Sequence, residues 1–163
     1  MTVLSVLRWP DARLRLVSAE VEGITPAIRE LAEDMLETMY AAKGRGLAAP
    51  QVGVLQRLFV MDADWKTGTP APRVLINPRL IWSSEVTASG PEGCLSIGGP
   101  AIPVRRAQAV VMGWIGLDGK PQQQRFSGFS AICVQHELDH LNGVLILDYL
   151  DGIDRIKAEG LAA

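Results

Sequence analysis

Cysteine and histidine are both scarce in this chain of 163 residues, which holds two of each: Cys94, Cys133, His136 and His140. Two cysteines cannot build the disulfide framework of a small secreted protein, although they could form one bridge. An excess of basic residues is also missing, since 16 Lys and Arg face 18 Asp and Glu and the formal charge is −2. The sequence therefore lacks the basic surface typical of nucleic-acid binding, and we expect no direct nucleic-acid contact.

Long apolar runs are absent as well. No stretch approaches the roughly 18 uninterrupted apolar residues of a membrane-spanning helix, so we expect no membrane contact. The apolar run at residues 3–7 ends at Arg8 and is too short for the core of a signal peptide. These features predict a cytoplasmic protein with free thiols. The 48% of hydrophobic residues is enough for a core, and the length predicts a single domain over residues 1–163.

Hydrophobic periodicity predicts helices at both ends of a central run of strands. Thr25 as N-cap and Pro26 at the first helical position predict a helix that ends near Lys43. Helical spacing returns over 127–141, stopped by Asn142-Gly143, and a short helix is predicted over 154–159. Strands are predicted at 57–61, 74–76, 80–82, 104–114 and 122–126, with a hairpin turn at 117–120. Because strands follow one another without intervening helices, the pattern favours an α+β fold.

The sharpest motif is His136-Glu137-Leu138-Asp139-His140, an HExxH sequence inside a predicted helix. Histidines four residues apart project from one helical face and can share a metal ion. The alternative is a chance pair of core histidines. For two histidines placed at random in a chain of this length that spacing is rare, about one case in eighty, so the motif indicates a metal site.

A third ligand has to come from elsewhere if the site is catalytic, because a catalytic ion keeps one position open. The four Cys and His residues could in principle form a closed structural zinc site. Helix geometry argues against it, since Cys133 lies about 7 Å along the axis from the ion's position. We interpret Cys133 as a small core residue at the wall of the site. Cys94 lies in a Gly- and Pro-rich segment and is a candidate third ligand, with an inert or redox thiol as the alternative.

Three segments together resemble the peptide deformylase family, and they occur in the family's order and approximate spacing. They are Gly44-x-Gly46-Leu47-Ala48-Ala49-Pro50-Gln51, Glu92-Gly93-Cys94-Leu95-Ser96 and Gln135-His136-Glu137-x-Asp139-His140. The resemblance implies an α+β fold in which mixed and antiparallel β-sheets surround a central helix that carries the HExxH motif. It also implies a hydrolase that removes the formyl group from the N-terminal formyl-methionine of new polypeptides and releases formate.

The resemblance assigns roles to residues of this sequence. Cys94, His136 and His140 would bind the metal, and Glu137 would act as general acid and base. Gln51 and the backbone N–H of Leu95 would stabilise the oxyanion, while Glu92 and Arg106 would support the ligands as a charged pair. Candidates for the substrate pocket, each with ordinary packing as its alternative, are Arg45, Gly46, Gly90, Phe129, Ile132 and Cys133.

The resemblance also favours Fe²⁺ as the metal, with Zn²⁺ or Ni²⁺ able to replace it. The expected partners are formyl-methionine nascent peptides at the ribosome, and we expect a monomer. Two alternatives remain: a metallopeptidase, although few residues follow His140, and a non-catalytic or altered-specificity paralogue. The second is kept open by departures from the family pattern that concern pocket shape, namely Arg45 between the two glycines and Gly98-Gly99 where a proline is common.

Overall fold

The computed structural model describes all 163 residues. Its helices are α1 (Pro26–Ala41), α2 (Gly128–Leu141) and α3 (Gly152–Leu161). Its strands are β1 (Gly46–Ala48), β2 (Leu58–Met61), β3 (Arg73–Ser83), β4 (Thr87–Cys94), β5 (Ile97–Ala107), β6 (Ala109–Ile115) and β7 (Pro121–Ser127). Short 3-10 turns occupy Ala12–Arg15, Ala49–Val52 and Ile146–Tyr149.

The strands form two antiparallel sheets. Five of them pair in the order β1-β2-β3-β6-β7, and β4 pairs only with β5 as a hairpin. Alternation along β2 shows how the larger sheet is covered on both faces, because successive side chains of a strand point to opposite sides. Phe59 packs in a core cluster with Val134 of α2, whereas Val60 packs in a second cluster with Met35 of α1. Helix α2 also contacts β5 and therefore lies between the two sheets.

The helix predictions are confirmed. The Thr25 hydroxyl accepts a hydrogen bond from the Ile28 N–H and caps α1, with Pro26 in the first turn. Helix α2 ends at the predicted residues, with Asn142 as its cap and Gly143 in the left-handed conformation at φ +70°. Helix α3 is longer than the predicted 154–159. No helix of the chain combines the length and the apolar character needed to cross a bilayer.

Several strand predictions were wrong in their boundaries. The predicted strands 74–76 and 80–82 are one strand, β3, whose pairing with β6 shifts register between Ile76 and Arg79. Asn77 lies at this irregularity with φ +49°, and its amide is fixed by hydrogen bonds to both backbone groups of Val21. The predicted strand 104–114 is divided at Gln108 between β5 and β6.

Strand β4 is not among the predicted strands, because it holds glycine and proline and lacks apolar alternation; in the structure it is largely exposed. A strand with one exposed hairpin partner does not need the apolar alternation that reveals half-buried strands. Strand β4 matters for the site because it ends at Cys94, the candidate third ligand.

Candidate metal centre

Helix α2 presents His136, Glu137 and His140 towards the interior. The two imidazole rings lie edge to face with centroids 5.0 Å apart, as expected for residues one turn apart on one face. His140 is almost completely buried. Burial lowers the pKa of His140 well below its usual range, so the ring stays neutral, which is the form that binds metal ions.

Cys94 reaches the same point from the turn of the β4–β5 hairpin. Its Sγ lies 3.3 Å from His140 Nε2, and the candidate ligand atoms of Cys94, His136 and His140 all lie within 4.8 Å of one another. One ion with bonds of about 2.0–2.3 Å to nitrogen and sulfur fits such a set and leaves a further position open. Cys133 is not in this group; its thiol lies 3.5 Å from the Arg45 carbonyl oxygen.

A carboxylate orients the first histidine. His136 Nδ1 lies 2.9 Å from Glu92 Oε1, so the other ring nitrogen is left for a metal ion, as in many carboxylate–histidine–metal sites. Burial by itself lowers the pKa of His136, but its hydrogen bonds to Cys94 and Glu92 outweigh burial and raise it. Metal binding at Nε2 therefore displaces a proton.

Arg106 holds Glu92 in place with two parallel hydrogen bonds of 2.9 Å each, from Nε and Nη2. Both side chains are buried. Burial raises the pKa of Glu92, but hydrogen bonds to His136 and Arg106 outweigh it and lower the pKa. The predicted pairing of Glu92 with Arg106 is thus present in the structure, one step behind the histidine.

The sequence did not single out the next members of this network. Arg106 Nη1 also donates to Asp139 Oδ2 at 2.6 Å and to the Tyr149 hydroxyl at 3.0 Å. The Tyr149 hydroxyl in turn donates to Asp139 Oδ2 at 2.6 Å. The position of Asp139 inside the HExxH motif was the only sequence signal that pointed to this network. Tyr149, ten residues later, lies in no pattern that distinguishes it from any other tyrosine.

Glu137 is the group best suited to exchange protons in this cavity. Its side chain is buried, its Oε2 has no hydrogen-bond partner, and burial raises its pKa to about 7. A carboxyl with a pKa near the working pH can both take and return a proton. Gly46 faces it so closely that a Cβ there would lie 2.6 Å from Glu137 Oε1, so any larger residue would displace this carboxyl.

The carboxamide of Gln51 is held in place by a hydrogen bond from the backbone. Its Oε1 accepts the Ala48 N–H at 2.9 Å, which turns Nε2 towards Ser96 Oγ at 3.0 Å and Cys94 Sγ at 3.6 Å. Ser96 is fully buried. The sequence placed it in a motif but predicted no role for it. The Leu95 N–H in the hairpin turn has no backbone acceptor. Two N–H donors therefore lie beside Cys94, as an oxyanion site requires.

The cavity above these groups has a volume of about 390 Å³. Of the candidates for the substrate pocket, Arg45, Gly46, Phe129, Ile132 and Cys133 line it. Gly90 does not: its neighbour Pro91 forms that part of the wall, and nothing lies within 4 Å of where a Gly90 Cβ would be. Other lining residues that sequence reasoning missed are Lys43, Lys66 and Gly93.

Gly98 and Gly99 also lie away from this cavity, which corrects the expectation that they shape the pocket. The Gly98 N–H donates to the Ala162 carbonyl at 2.7 Å. Gly99 has φ +86°, and a Cβ on it would lie 3.1 Å from Leu161. The two glycines let β5 approach the end of α3, so their presence concerns packing of the C-terminal helix.

A buried helix that carries two imidazoles and a carboxyl, faced by a thiol and two N–H donors, is the arrangement of a metal-dependent hydrolase. Comparison with known proteins narrows this class. The family model for polypeptide deformylase matches residues 3–156. The peptide deformylase of Alkalilimnicola ehrlichii is 49% identical over 155 residues, which cover 95% of this chain and 86% of that protein.

Solved structures agree. Peptide deformylase from Ehrlichia chaffeensis in complex with actinonin superposes with a TM-score of 0.93 at 39% identity, covering 98% of this chain and 95% of that one. The enzyme from Legionella pneumophila gives a TM-score of 0.92 at 38% identity, covering 98% and 93% of the two chains. The chain belongs to the polypeptide deformylase family, metal-dependent enzymes that remove the formyl group from nascent peptides. The expected family, α+β fold and enzyme activity are confirmed.

Proposed function

We propose that Cys94, His136 and His140 hold the metal ion of this deformylase and that Glu137 carries protons during hydrolysis. The observation that supports this most is the unpartnered, buried carboxyl of Glu137 beside three converging ligand atoms. A buried polar group without a partner is costly in a purely structural setting. We further propose that the whole chain, residues 1–163, acts as one catalytic domain.

The free edge of β1 supports binding of an extended peptide. The Arg45 carbonyl accepts the N–H of Asp62, which directly follows β2. In the antiparallel pattern the next residue, Gly46, therefore directs its N–H and C=O away from β2. Those groups face the cavity lined by Gly46 and Glu137. A substrate strand pairing there places its formyl end beside Glu137 and Cys94.

The side chains at the apolar part of the wall suit methionine. Phe129, Ile132 and Cys133 line the cavity along α2, each one or two turns before His136. An unbranched thioether side chain adapts well to such a surface. We propose these three residues as the contact for the methionine side chain.

Proton transfer follows from the position of Glu137. When bound, a divalent ion supplies Lewis acidity that makes water more acidic and an amide carbonyl more electrophilic. Glu137 takes a proton from the attacking water and returns it to the leaving amine. The Gln51 carboxamide and the Leu95 N–H donate to the carbonyl oxygen as negative charge develops there, and such donors are each worth about 3 kcal/mol. Formate and a peptide with a free amino group result.

Formate release from a formyl-methionine peptide tests the assignment. Glu137→Gln should lower kcat by at least about 10²-fold, because it removes the proton carrier but leaves the ligands in place. Metal content, measured by elemental analysis, should stay at the level of the parent protein. Cys94→Ala should instead lose the metal. An inactive parent protein with full metal occupancy contradicts the proposed function.

We propose Fe²⁺ as the native metal, as the resemblance to peptide deformylases implies, with Zn²⁺ or Ni²⁺ able to replace it. Two imidazoles and a thiolate accept several divalent ions, so the ligand type does not choose among them. A ferrous ion beside a thiolate should make the enzyme lose activity in air. Substitution by Ni²⁺ should preserve activity under the same exposure. Equal air stability of the native and nickel forms contradicts iron.

We also propose that the enzyme works as a monomer in the cytoplasm, on peptides emerging from the ribosome. The formal charge of −2 supports contact with the nascent peptide rather than with RNA. Sedimentation of the purified protein alone tests the monomeric state, and sedimentation with ribosomes tests the association with them.

A further inference from the structure

Three cationic side chains surround the mouth of the catalytic cavity: Lys43, Arg45 and Lys66. None of them forms an ion pair with a carboxylate of the chain. The carboxylates in the same lining, Glu92 and Glu137, are both buried at its base. The mouth is therefore locally positive in a chain whose formal charge is −2.

Arg45 is held in one orientation. Its guanidinium carbon lies 4.7 Å from the centroid of the Phe129 ring, within the range of a cation–π contact. Its Nε is buried without a hydrogen-bond partner, although the rest of the side chain is half-exposed. The backbone is fixed as well, because the Arg45 carbonyl accepts the Asp62 N–H at 2.9 Å. A positioned, unpartnered guanidinium is prepared to bind an anionic group.

The two lysines are placed beside it by neighbouring structure. The indole of Trp65 donates to the Gly44 carbonyl at 2.8 Å and packs edge to face on Tyr40, which holds the adjacent Lys66 at the cavity. Lys43 follows the end of α1 in the left-handed conformation, at φ +58°. That conformation favours glycine, so a lysine there carries a conformational cost.

We propose that this cationic mouth, defined as Lys43, Arg45 and Lys66, selects formyl-methionine peptides that carry an acidic side chain at the second or third residue. Gly46 binds the peptide backbone next to the reacting end, and Arg45 directly precedes Gly46, immediately before β1. The residues that follow methionine therefore pass these three cations. This inference rests on the proposed function of the cavity, and it concerns substrate preference within that function.

Matched peptides test the preference. We would measure kcat/KM for amidated formyl-Met-Ala-Xaa and formyl-Met-Xaa-Ala peptides in which Xaa is Glu, Gln or Lys. At low ionic strength the expected order is Glu, then Gln, then Lys, with a ratio between Glu and Lys of about tenfold at one of the two positions. Added salt should reduce that ratio, because exposed charges are screened.

Variants locate the effect. Arg45→Gln should bring the ratio between Glu and Lys peptides close to one, and Lys43→Gln or Lys66→Gln should each reduce it in part. Lys120→Gln is the matched control, since Lys120 is an exposed lysine on the β6–β7 turn, outside the cavity lining. Its ratio should equal that of the parent.

The outcomes separate two failures. Equal rates on the Glu, Gln and Lys peptides of both series, with deformylation intact, overturn the acidic preference and leave the proposed function standing. A preference that survives Arg45→Gln overturns it too. Inhibition by an RNA oligonucleotide without any peptide preference shows instead that the cations serve a nucleic-acid surface. Absence of formate release from every peptide means that the proposed function itself has failed.

Discussion

The residues of the site depend on neighbours that have no chemistry of their own. Glu137 has a raised pKa because it is buried, and it can be buried because Gly46 leaves room for it. Gln51 donates in a fixed direction because the Ala48 N–H holds its oxygen. The pKa of a reactive side chain and the direction of its hydrogen bonds thus depend on the small residues and backbone groups that lie next to it.

Replacement of Gly46 tests this dependence. In Gly46→Ala the new Cβ lies 2.6 Å from Glu137 Oε1, so the carboxyl has to move. A displacement of about 1 Å in a catalytic group costs on the order of 10²-fold in rate, so kcat should fall by that amount. The metal content should remain unchanged, since no ligand is touched. Gly23→Ala is the control, because nothing lies within 4 Å of its Cβ position. Unaltered kcat in Gly46→Ala contradicts the crowding argument.

The sequence predicted those site residues whose spacing is set by a single helix. His136, Glu137 and His140 lie on one turn of α2, and the period of 3.6 residues is enough to place them together. Cys94 comes from the end of β4, so no local period connects it with α2. The sequence made it a candidate ligand through its Gly- and Pro-rich segment, and the family resemblance then assigned it to the same site as the two histidines. Ser96 and Tyr149 were missed because their contacts are long-range and no local pattern marks a hydroxyl that meets a distant partner.

At the scale of elements, helices α1 and α2 were predicted with their ends, whereas of the strands β2 and β7 were predicted well and the boundaries of β3, β4, β5 and β6 were not. Caps such as Thr25 and Gly143 are local signals, and they mark where α1 begins and α2 ends. Strand β3 continues through Asn77 because the side chain of that residue is fixed on Val21, which is far away in sequence. Strand β4 has one partner and an exposed face, so its composition resembles that of a loop.

The end of α1 offers a test of conformational cost. Lys43 has φ +58°, where an L-residue is less stable than glycine. Lys43→Gly should therefore raise the free energy of unfolding by about 0.5–1 kcal/mol, after allowance for the greater freedom of glycine in the unfolded chain. Urea denaturation measures the change.

A second variant separates conformation from charge. Lys43→Ala removes the same ammonium group but keeps a Cβ in the left-handed conformation. It should give no comparable gain in stability. An equal gain in both variants shows that charge, not backbone conformation, determines the effect.

At the scale of the whole molecule, one buried network joins the parts that carry the site. Arg106 of β5 contacts Glu92 of β4, Asp139 of α2 and Tyr149 near the C-terminal helix. The other tyrosine, Tyr40, donates from α1 to the buried Asp62 at 2.7 Å. Both phenols therefore report on whether the elements are assembled.

Their ionisation gives a pH prediction. Burial and the hydrogen bond to Asp139 raise the pKa of Tyr149 to about 12, and burial and Asp62 raise the pKa of Tyr40 further. Unfolded tyrosines titrate near about 10. The folded state thus retains protons that the unfolded state loses, so this contribution to stability is complete below about pH 10 and is lost as the pH rises towards 12.

The raised pKa values of the two tyrosines can be checked by the absorbance of tyrosinate as a function of pH. The native protein should show little phenolate at about pH 10.5, whereas the protein in denaturant should be more than half ionised. Tyr149→Phe leaves Tyr40 as the sole phenol and should shift the native transition upwards. A native midpoint near that of free tyrosine contradicts the hydrogen bonds of Tyr40 to Asp62 and of Tyr149 to Asp139.

Metal removal should destabilise the whole fold, because the ligands come from α2 and from the hairpin of the smaller sheet. A ligand present at a thousand times its dissociation constant stabilises the native state by about 4 kcal/mol. A chelator should lower the free energy of unfolding by a comparable amount. His140→Ala should show no chelator effect, whereas Glu137→Gln should retain it. Equal chelator effects in both variants place the ion elsewhere.

The outer edge of β1 has a consequence for self-association. A strand with unpaired backbone groups is a template on which any extended chain can add itself, including another copy of the same protein. Natural sheets limit this hazard with short edge strands and with charged residues. Strand β1 is only three residues long, and Arg45 stands immediately before it. The backbone groups proposed to pair with a substrate strand are thus too few, and too close to a cation, to extend a sheet from one molecule to the next.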